Sequence, residues 1–495
     1  IDRAQTLAYR KGIKLFIVDP WTEIDQTERG SMSMTDWVDL CLKRLRRFGR
    51  EFGCHVVIVA HPKKMAMEVD REGTRRMPVV TPYDISDCYS ADTEVLTDRG
   101  WFRHDELPGG AKVADFNPAT GRLSWQTPTA FHAWDYDGEM YHVATNSTDV
   151  LVTPNHRMVV KEAWEPDAPW RFERADALGG RAMVSPFATP FVNDRPDIET
   201  IDLDRGYAAD DFLRYLGWWI AAGCMQMGGP SPSRAKGEMA ETMLATMDRL
   251  GLHYRAQEHD ESKRGAQTGT TMRLNARSHP ELSRWLPEAC GEGAANKRLS
   301  ELAWSLSARQ QRILLDALLD GDGHRAPTRP DTASYSTTSR QLADDVQRLA
   351  IELGHPASVS APGRMHAHHA DRYVVNIGRR SRREITIRRH RHITKRPYAG
   401  KVYCLTMPGG AYLTRRNGKM AIQGNSRHWY EMADCIFSIW RDKKAPDEPV
   451  QVHVQKVRFR DTGALGVAFF RYDKITRRYT DVTNLYDRDD FMVEV

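Results

Sequence analysis

The sequence predicts a multidomain protein in which an all-β domain carries an α+β insertion and lies between two α/β segments. Three observations support this prediction. A strand–helix–strand pattern occupies the first part of the chain, short β-runs separated by turn residues begin at Cys88, and two helical patterns of the same form lie between residues 211 and 323. With 495 residues, the chain is long enough for about three or four domains.

The composition is that of an ordinary water-soluble protein, with 41% hydrophobic and 28% charged residues. No run of about 18 uncharged apolar residues occurs, so we expect no membrane span. The sequence begins at Ile1 without a methionine or an apolar leader. We therefore expect a fragment of a longer, cytosolic chain.

Positive charge is concentrated in one segment. The net charge is only +5, but residues 379–396 hold eight arginines and one lysine against a single glutamate. Such a cluster suits a polyanion such as DNA, and it is equally compatible with a solvated basic surface. Arg379 and Arg380 are the candidate DNA-binding residues.

The seven cysteines show no CxxC pair and no zinc-type spacing. In a cytosolic chain we expect them to be reduced thiols, most of them buried. Cys88 and Cys404 are the two that have a candidate chemical role.

The first segment has the pattern of a βαβ unit. Residues 15–19 form an apolar run that ends at Asp19, residues 56–61 form another that ends at His61, and residues 36–52 have helical spacing. In parallel sheets, functional side chains lie at the carboxyl ends of the strands. The two polar residues that end these runs occupy such positions.

This segment resembles RecA-like replicative helicases of the DnaB and Twinkle type. Residues 15–21 are similar to their Walker B strand, and residues 61–64 and 82–86 are similar to the fourth helicase motif and its DNA-binding loop. The resemblance implies an ATPase role for Asp19 and His61, and contact with DNA for Lys63 and Lys64.

The helicase pattern breaks off at Asp87 and resumes at Ser426, and the two halves read as one uninterrupted motif when joined. Lys456 and Arg458 are similar to residues of a late β-hairpin that reach the γ-phosphate on a neighbouring subunit. No Gly-x-x-x-x-Gly-Lys-Ser/Thr loop occurs, so we expect no ATP hydrolysis by this chain alone. The complete helicase is implied to be a DNA-binding homo-hexamer that uses ATP and Mg²⁺.

The interrupting segment begins and ends with reactive residues. Cys88 begins it, Asn425 ends it, and the hydroxyl of Ser426 follows at once. Each feature alone is common, since a cysteine near a turn is usually structural. Their order, and the break in the helicase pattern at the same two positions, are independent observations that point to one insertion.

This insertion resembles the Hint fold of inteins, a flattened β horseshoe that carries out protein splicing without a cofactor. The resemblance implies that the Cys88 thiol attacks the Asp87 carbonyl to form a thioester. Thr153 is expected to hydrogen-bond the scissile region, and His156 to act as acid and base with a pKa near neutrality. Cys404 lies where inteins carry Asp or Cys, and it is expected to polarise groups or relay protons.

The later steps that the resemblance implies are transfer of the N-terminal segment to the Ser426 hydroxyl, cyclisation of Asn425, and an O-to-N shift that joins Asp87 to Ser426. One residue departs from the family. Gly424 stands where many inteins have a histidine before the final asparagine. We expect this departure to slow the cyclisation rather than abolish it.

The insertion is longer than splicing requires, and it contains two helical patterns, 211–223 and 311–323. Small residues on one face would let the two helices approach closely, with their acid-and-glycine ends side by side. This arrangement resembles LAGLIDADG homing endonucleases, in which two such carboxylates hold Mg²⁺ for phosphodiester hydrolysis. Lys297 matches a basic catalytic residue of that family.

The first helix departs from this pattern. Ala222 occupies the position of the expected acid, and only Asp322 remains, because Asp320 should point away from the helix pair. A single carboxylate offers at most a weak Mg²⁺ site. We therefore expect this domain to bind DNA with little or no cleavage.

The domain boundaries follow from these motifs. They are 1–87 and 426–495 for the helicase segments, 88–195 and 386–425 for the splicing domain, and 196–385 for the endonuclease-like domain. The alternatives are a homing endonuclease or DNA-binding protein whose splicing has decayed, a helicase subunit with an inert insertion, and a hedgehog-like module, which the asparagine–serine junction disfavours. By resemblance, the setting is the cytoplasm of a bacterial or phage-infected cell.

Overall fold

The structure is a computed structural model, and it describes the following residues: 2–21, 34–59, 68–69, 75–76, 88–178, 182–226, 229–231, 234–235, 238–259, 269–274, 278–326, 329–360, 362–363, 371–381, 383–425, 433–441, 448–459 and 463–483. The chain divides into two compact units. The first comprises 1–88, 154–157 and 426–495, and the second comprises 89–153 and 158–425.

The α-helices of the described residues are α1 Asp2–Lys11, α2 Met34–Phe52, α3 Ala209–Ala222, α4 Glu238–Arg249, α5 Pro280–Cys290, α6 Ala308–Asp322, α7 Arg340–Glu352 and α8 Arg389–His392. Short 3-10 turns occur at His104–Glu106, Ala175–Ala177, Ala294–Asn296 and Glu301–Trp304.

The strands are β1 Leu15–Val18, β2 His55–Ile58, β3 Glu68–Val69, β4 Arg75–Arg76, β5 Tyr89–Ser90, β6 Glu94–Thr97, β7 Gly100–Arg103, β8 Val113–Asn117, β9 Arg122–Gln126, β10 Ala130–Ala144, β11 Asp149–Val152, β12 Arg157–Glu162, β13 Arg171–Arg174, β14 Met183–Pro186, β15 Thr200–Leu203, β16 Arg205–Ala208, β17 Cys224–Gln226, β18 Gly229–Ser231, β19 Arg234–Ala235, β20 Tyr254–His259, β21 Gly269–Leu274, β22 Gly323–Ala326, β23 Arg329–Thr337, β24 Ala357–Val359, β25 Tyr373–Ile377, β26 Glu384–Ile387, β27 Ile393–Thr406, β28 Ala411–Arg416, β29 Lys419–Gly424, β30 Cys435–Trp440, β31 Val450–Val457, β32 Gly466–Asp473 and β33 Arg478–Asp481.

The first unit contains the predicted βαβ motif. Strands β1 and β2 pair in parallel, with Leu15 opposite His55, and α2 connects them. The side chain of Phe48 in α2 is buried, and its ring centroid lies 5.6 Å from that of Phe16 in β1. The apolar side of the helix therefore covers the strands, as expected for a parallel unit.

The last part of the first unit is an antiparallel sheet with the order β30-β31-β32-β33. Within it, β31 and β32 form the predicted hairpin, with Val450 opposite Phe470 and Val454 opposite Gly466. The late hairpin inferred from the sequence is thus present.

The β-rich part of the second unit is built on a closed barrel of β10, β11, β5 and β27. Strands β10 and β27 are long partners, paired from Ala130 opposite Thr406 to Val143 opposite Ile393. The barrel end of β27 is apolar and buried, which places Cys404 in the interior. The short β-runs predicted after Cys88 therefore form strands.

The α+β part of the second unit is organised around α3 and α6, which lie side by side. Helix α6 begins after Ser307, whose hydroxyl accepts the N–H of Gln310, and α7 begins after Ser339, whose hydroxyl accepts the N–H of Leu342. Both serines satisfy donors that the first helical turn leaves without a partner inside the helix.

A ten-stranded sheet joins the two parts of the second unit. Strand β24 of the α+β part pairs with β29 of the β-rich part, with Ser358 opposite Lys419. Next to this pair, the N–H of Val359 donates to the carbonyl of Gly418 at 2.9 Å. One hydrophobic core also contains residues of both parts. The α+β part therefore shares a sheet and a core with the β-rich part around it.

All seven cysteines lie in the described part of the chain, and they form no disulfide; five are buried, and Cys224 and Cys435 are exposed. This confirms the prediction that most of the cysteines are buried. Among the described helices, none combines the length and the apolar character needed to cross a membrane.

Candidate functional site

The two predicted ends of the insertion are connected through Tyr89. This residue lies in β5, where it pairs with Val152 of β11 and with Tyr403 of β27. Its hydroxyl donates to the carbonyl of Gly424 at 2.9 Å, across 335 positions of sequence. The residue after Cys88 is thus hydrogen-bonded to the residue before Asn425.

Asn425 is fully buried at the end of β29. Its backbone N–H donates to the carbonyl of Gly410 at 3.0 Å, and its side-chain Nδ2 donates to the carbonyl of Met407 at 3.2 Å. Two positions earlier, the side-chain oxygen of Gln423 accepts the N–H of Val159 at 2.9 Å. These bonds fix both the main chain and the amide group of the terminal asparagine.

Cys404 lies beside a buried tyrosine and histidine. The Tyr412 hydroxyl is 3.9 Å from the Cys404 sulfur and 3.0 Å from Nε2 of His104, and it accepts the N–H of Leu405 at 3.4 Å. Nδ1 of His104 lies 3.1 Å from the carbonyl oxygen of Thr93. These contacts form a continuous hydrogen-bonded line from the thiol to the main chain.

Aromatic rings enclose His104. Its ring centroid lies 5.7 Å from that of Tyr89 and 6.0 Å from that of Tyr403, and both pairs are stacked. Burial lowers the pKa of His104 to about 4. The imidazole is therefore neutral at neutral pH. The sequence analysis did not select this residue, because a single histidine in a β-rich segment has no local signature.

Cys88, Thr153 and His156 are buried, with 1%, 3% and 0% of their surfaces exposed. Burial lowers the pKa of His156 to about 3, and the positive charge of Arg157 lowers it further. The expectation of a pKa near neutrality is therefore wrong, because the imidazole has lost its solvent. Cys88 and residues 154–157 belong to the first unit, whereas the barrel residues belong to the second.

The junction partners Asp87 and Ser426 lie outside the described residues. Their predicted roles therefore remain predictions. The same holds for His61, Lys63 and Lys64 of the helicase segment.

Helices α3 and α6 approach each other closely. A Cβ atom at Gly217 would lie 2.5 Å from the Cβ of Ala317, and one at Gly321 would collide with the Cβ of Ala221. The contacts are reciprocal, since each helix presents a glycine to an alanine of the other. The close contact of small residues predicted from the sequence is therefore present.

The two helices end in the same way. The N–H of Gly223 donates to the carbonyl of Trp219, and the N–H of Gly323 donates to that of Leu319. This correspondence makes Ala222 and the residue before Gly323 equivalent positions.

The acid at the end of α6 is Asp322, whose residue surface is exposed. Protein atoms around its carboxyl group nevertheless displace part of the solvent, and this desolvation raises its pKa to about 6. Asp320 forms an ion pair with Arg325 of β22 at 2.5 Å. Within the described ranges, no cluster of three or more His, Cys, Asp or Glu residues could hold a metal ion. The sequence prediction of a weak, one-carboxylate site remains a prediction.

Lys297 is buried against the last turn of α3. Its ammonium group donates to the carbonyl of Trp219 at 3.0 Å and lies over the indole ring of the same residue. Burial lowers its pKa to about 8. The main chain at Lys297 is anchored by Ser339, whose hydroxyl donates to its carbonyl at 2.6 Å. The predicted basic residue thus lies one turn from Ala222.

Arg379 and Arg380 follow β25 and are exposed. Arg380 borders a cavity of about 340 Å³ that is also lined by Arg309, Arg312 and Glu352. The only lining carboxylate, that of Glu352, is engaged by Arg348 at 2.8 Å. Arg309 in turn forms ion pairs with Asp197 and Asp210, both at 2.6 Å, so part of the positive charge of the wall is compensated.

The described helicase candidates lie on the first unit. Asp19 follows β1 and is exposed. Lys456 lies in β31, opposite Ile436 of β30. Arg458 forms an ion pair with Asp434 at 2.8 Å, one strand away in the same sheet. The predicted contact of Lys456 and Arg458 with a γ-phosphate remains a prediction.

The structure adds a buried arginine that the sequence analysis missed. Arg415 in β28 has no exposed surface. It donates to both carboxylate oxygens of Glu94 in β6, and to Asp344 and Gln347 in α7. Glu94 belongs to the β-rich part, and Asp344 and Gln347 belong to the α+β part, so Arg415 links these two parts.

Comparison with protein families identifies one part of the chain. Residues 309–388 match the LAGLIDADG-like domain family, and this range includes nearly all of α6 with Asp322. The match confirms the LAGLIDADG-like assignment for the second helix and the strands that follow it.

Three relatives are similar over shorter parts of their own length. They are the ATP-dependent Clp protease proteolytic subunit of Chlamydomonas moewusii, 26% identical over 55% of this chain and 28% of that protein; the beta subunit of ribonucleoside-diphosphate reductase of Aquifex aeolicus, 36% identical over 15% and 11%; and the Twinkle homolog protein of Arabidopsis thaliana, 34% identical over 13% and 9%. The chain spans less than a third of each relative.

Two solved structures are also similar. The AceL NrdHF class 3 split intein has a TM-score of 0.24 and 10% identity, with 69% of this chain and 99% of that chain covered. I-DmoI in complex with its target DNA and manganese has a TM-score of 0.25 and 15% identity, with 34% and 87% covered. At such TM-scores neither likeness defines the fold.

Proposed function

We propose that this chain is an autocatalytic protein-splicing precursor that excises residues 88–425 and joins Asp87 to Ser426. The observation that carries the proposal is the hydrogen bond from the Tyr89 hydroxyl to the Gly424 carbonyl, 2.9 Å long. It brings the neighbours of the two junctions together, as two cleavages coupled to one ligation require.

The first step is attack of the Cys88 thiol on the carbonyl of Asp87. The neutral imidazole of His156 takes the thiol proton and passes it to the leaving amide nitrogen. Burial lowers the pKa of His156, so the imidazole is neutral before the reaction and can accept the thiol proton.

The second step transfers the N-terminal segment to the Ser426 hydroxyl, with proton transfer assisted by Cys404. The third is attack of the Asn425 side-chain nitrogen on its own carbonyl, which cuts the second junction. Here the insertion lacks a histidine at Gly424. The bonds from Asn425 to the main chain hold the amide group in place and compensate in part for that absence.

The relatives support an insertion that is independent of its host. A protease subunit and a reductase subunit have unrelated activities by name, and each is similar to only part of this chain. Similarity to proteins of unrelated activity is expected of an excisable insertion, whose activity does not depend on the protein around it.

For the host, we propose a RecA-like replicative helicase of the cytoplasm, which acts on DNA as a homo-hexamer with ATP and Mg²⁺ after splicing. The βαβ unit, the late hairpin and the similarity to the Twinkle homolog support this proposal. Asp19, His61, Lys456 and Arg458 are its proposed ATPase residues.

Mass spectrometry of the purified full chain tests the splicing proposal. We expect a peptide in which Asp87 is joined directly to Ser426, and an excised segment that begins at Cys88. Cys88→Ala should abolish the ligated peptide, and Asn425→Ala should leave the second junction intact. Cys224→Ala, which removes an exposed thiol elsewhere, should splice normally. Intact precursor that persists for days at neutral pH would refute the proposal.

A second candidate function is favoured by the LAGLIDADG-like match. We propose that residues 196–385 bind DNA, with weak or absent Mg²⁺-dependent cleavage because Ala222 replaces one acid. In the competing version, a homing endonuclease whose splicing has decayed, the chain would cut DNA that carries the uninterrupted helicase site and would show no ligated peptide.

A further inference from the structure

The steps above use Cys404 but not the line of groups that leads from it to His104. Tyr412 separates the two residues, with its hydroxyl 3.9 Å from the Cys404 sulfur and 3.0 Å from Nε2 of His104. All three side chains are buried, at 0% to 1% exposure. A buried polar line of this kind has a defined proton order, because each group must meet a suitable partner.

The proton order can be read from the main chain. The Thr93 carbonyl can only accept, so Nδ1 of the neutral His104 carries the hydrogen and Nε2 is an acceptor. The Tyr412 hydroxyl must therefore donate to Nε2. Its oxygen accepts the N–H of Leu405 and keeps a second lone pair 3.9 Å from the Cys404 sulfur. At rest the Cys404 thiol donates to the Leu405 carbonyl at 3.5 Å, and rotation of the thiol hydrogen toward the Tyr412 oxygen completes the line.

We propose that His104 is the proton acceptor for Cys404, reached through Tyr412. The thiol proton passes to the Tyr412 oxygen while the Tyr412 proton passes to Nε2 of His104. The products are a thiolate and an imidazolium, and no atom or electron is gained or lost. This inference rests on the proposed splicing function.

The thiolate has a defined use in the second splicing step. It accepts the proton of the Ser426 hydroxyl as that oxygen attacks the thioester. The departing Cys88 thiolate then takes a proton from Cys404, and the line returns the proton held on His104. The net change is one proton moved from Ser426 to Cys88. Tyr412 and His104 are positioning and relay residues, because neither touches the reacting carbonyl.

The electrostatics of the cluster agree with a transient relay. Burial lowers the pKa of His104 to about 4 and raises the pKa of Tyr412 well above its ordinary value. Both groups are therefore neutral at rest, and the charged pair forms only during transfer. A line that is neutral at rest avoids the cost of a permanent buried charge.

Single-turnover kinetics of the full chain test the proposal, with two readouts. Cleavage at the first junction by dithiothreitol reports thioester formation, and appearance of the ligated peptide reports transfer to Ser426. Tyr412→Phe keeps the ring and removes the hydroxyl. We expect unchanged thiol cleavage and ligation slowed by about 100-fold or more, the typical effect of losing a proton-transfer group. His104→Gln should do the same, and the double variant should be no slower than either.

The pH profile gives a readout that a structural role would not move. In Tyr412→Phe, ligation should accelerate as the pH rises toward about 8.5, where a thiol ionises without help. Tyr403→Phe is the matched control, since its ring also stacks on His104; it should ligate at the normal rate.

Two outcomes would overturn the relay. One is normal ligation in Tyr412→Phe, and the other is an equal slowing of thiol cleavage and ligation in both variants, which indicates a structural effect. Failure of the splicing proposal itself is distinguishable, because the unmodified chain would then show neither reaction.

Discussion

Arg415 donates to both carboxylate oxygens of Glu94, at 2.6 and 2.7 Å, from a position with no exposed surface. The same guanidinium reaches Asp344 of α7 at 2.5 Å. Strand β28, which carries Arg415, is the partner of β29, which leads directly into Asn425. Helix α7 of the α+β part thus contacts the β28–β29 hairpin, which ends just before Asn425.

Replacement of Arg415 by Ala should destabilise the protein by roughly 2–3 kcal/mol, because it leaves the partly exposed carboxylates of Glu94 and Asp344 without their partner. Chemical denaturation of a Cys88→Ala, Asn425→Ala background, which keeps the chain intact, measures the loss. Arg340→Ala is the control, since that arginine pairs with Asp344 at the surface and should cost at most about 1 kcal/mol. Equal losses would contradict the special role of the buried pair.

The helix crossing predicts a strong penalty for a side chain at Gly217. Gly217→Val would press against Ala317 and the main chain of α6, at a cost of roughly 1–3 kcal/mol. Gly109→Val is the matched control, since its surroundings are open, and its effect should stay within about 0.5 kcal/mol. Thermal or urea unfolding compares the two, and a tolerated valine at the crossing would show that the helices separate.

Ala222→Asp should create the second carboxylate opposite Asp322. A bound metal contributes several kcal/mol to phosphodiester hydrolysis, and each 1.36 kcal/mol is a factor of ten. Cleavage of DNA that carries the uninterrupted helicase site should therefore rise by about 100-fold or more in Mg²⁺. Ala222→Asn, which lacks the charge, should stay at the starting rate. No gain with Asp would mean that the missing acid is not the limiting defect.

Tyr89→Phe should slow cleavage at the second junction. The lost hydrogen bond to Gly424 is worth about 1 kcal/mol, which corresponds to roughly a fivefold decrease in rate. The measurement uses a Cys88→Ala background, in which only asparagine cyclisation is possible. Tyr136→Phe removes an exposed hydroxyl from the middle of β10, where it donates to the Glu139 carbonyl, and should leave the rate unchanged. Identical rates in both variants would separate Tyr89 from the chemistry.

The stability of the protein should decrease in acid. Burial lowers the pKa of His104 to about 4, so between this pH and the ordinary value of about 6.5 the unfolded chain binds a proton that the folded chain does not. The contribution to the free energy of unfolding is full above pH about 6.5 and falls by up to about 3 kcal/mol on the way to pH 4. His104→Gln should flatten this part of the profile in urea titrations, and an unchanged slope would contradict the prediction.

Local patterns predicted the elements well. Apolar periodicity located the βαβ unit, α3 and α6, and the resemblance to helicases located the late hairpin; all are present. The reason is physical: spacing of 3.6 or 2 residues reports which side of an element is buried. The small residues at Gly217 and Ala317 likewise indicated a close crossing before any contact was known.

Long-range side-chain contacts were beyond such patterns. Arg415 and Glu94 are 321 positions apart, and no spacing rule links them. His104 has no motif, and its importance comes only from Tyr412 and Thr93 around it. Similarly, the low pKa of His156 results from burial, which depends on the whole fold rather than on the residues adjacent in sequence.

The single sheet that joins β24 to β29 has an evolutionary consequence. A nuclease that was merely tethered could be deleted once its cutting no longer spread its gene. Here, deletion would leave β29 with an open edge and Arg415 with fewer partners. Selection for splicing would then also act on the α+β part, because that part completes the sheet that leads to Asn425.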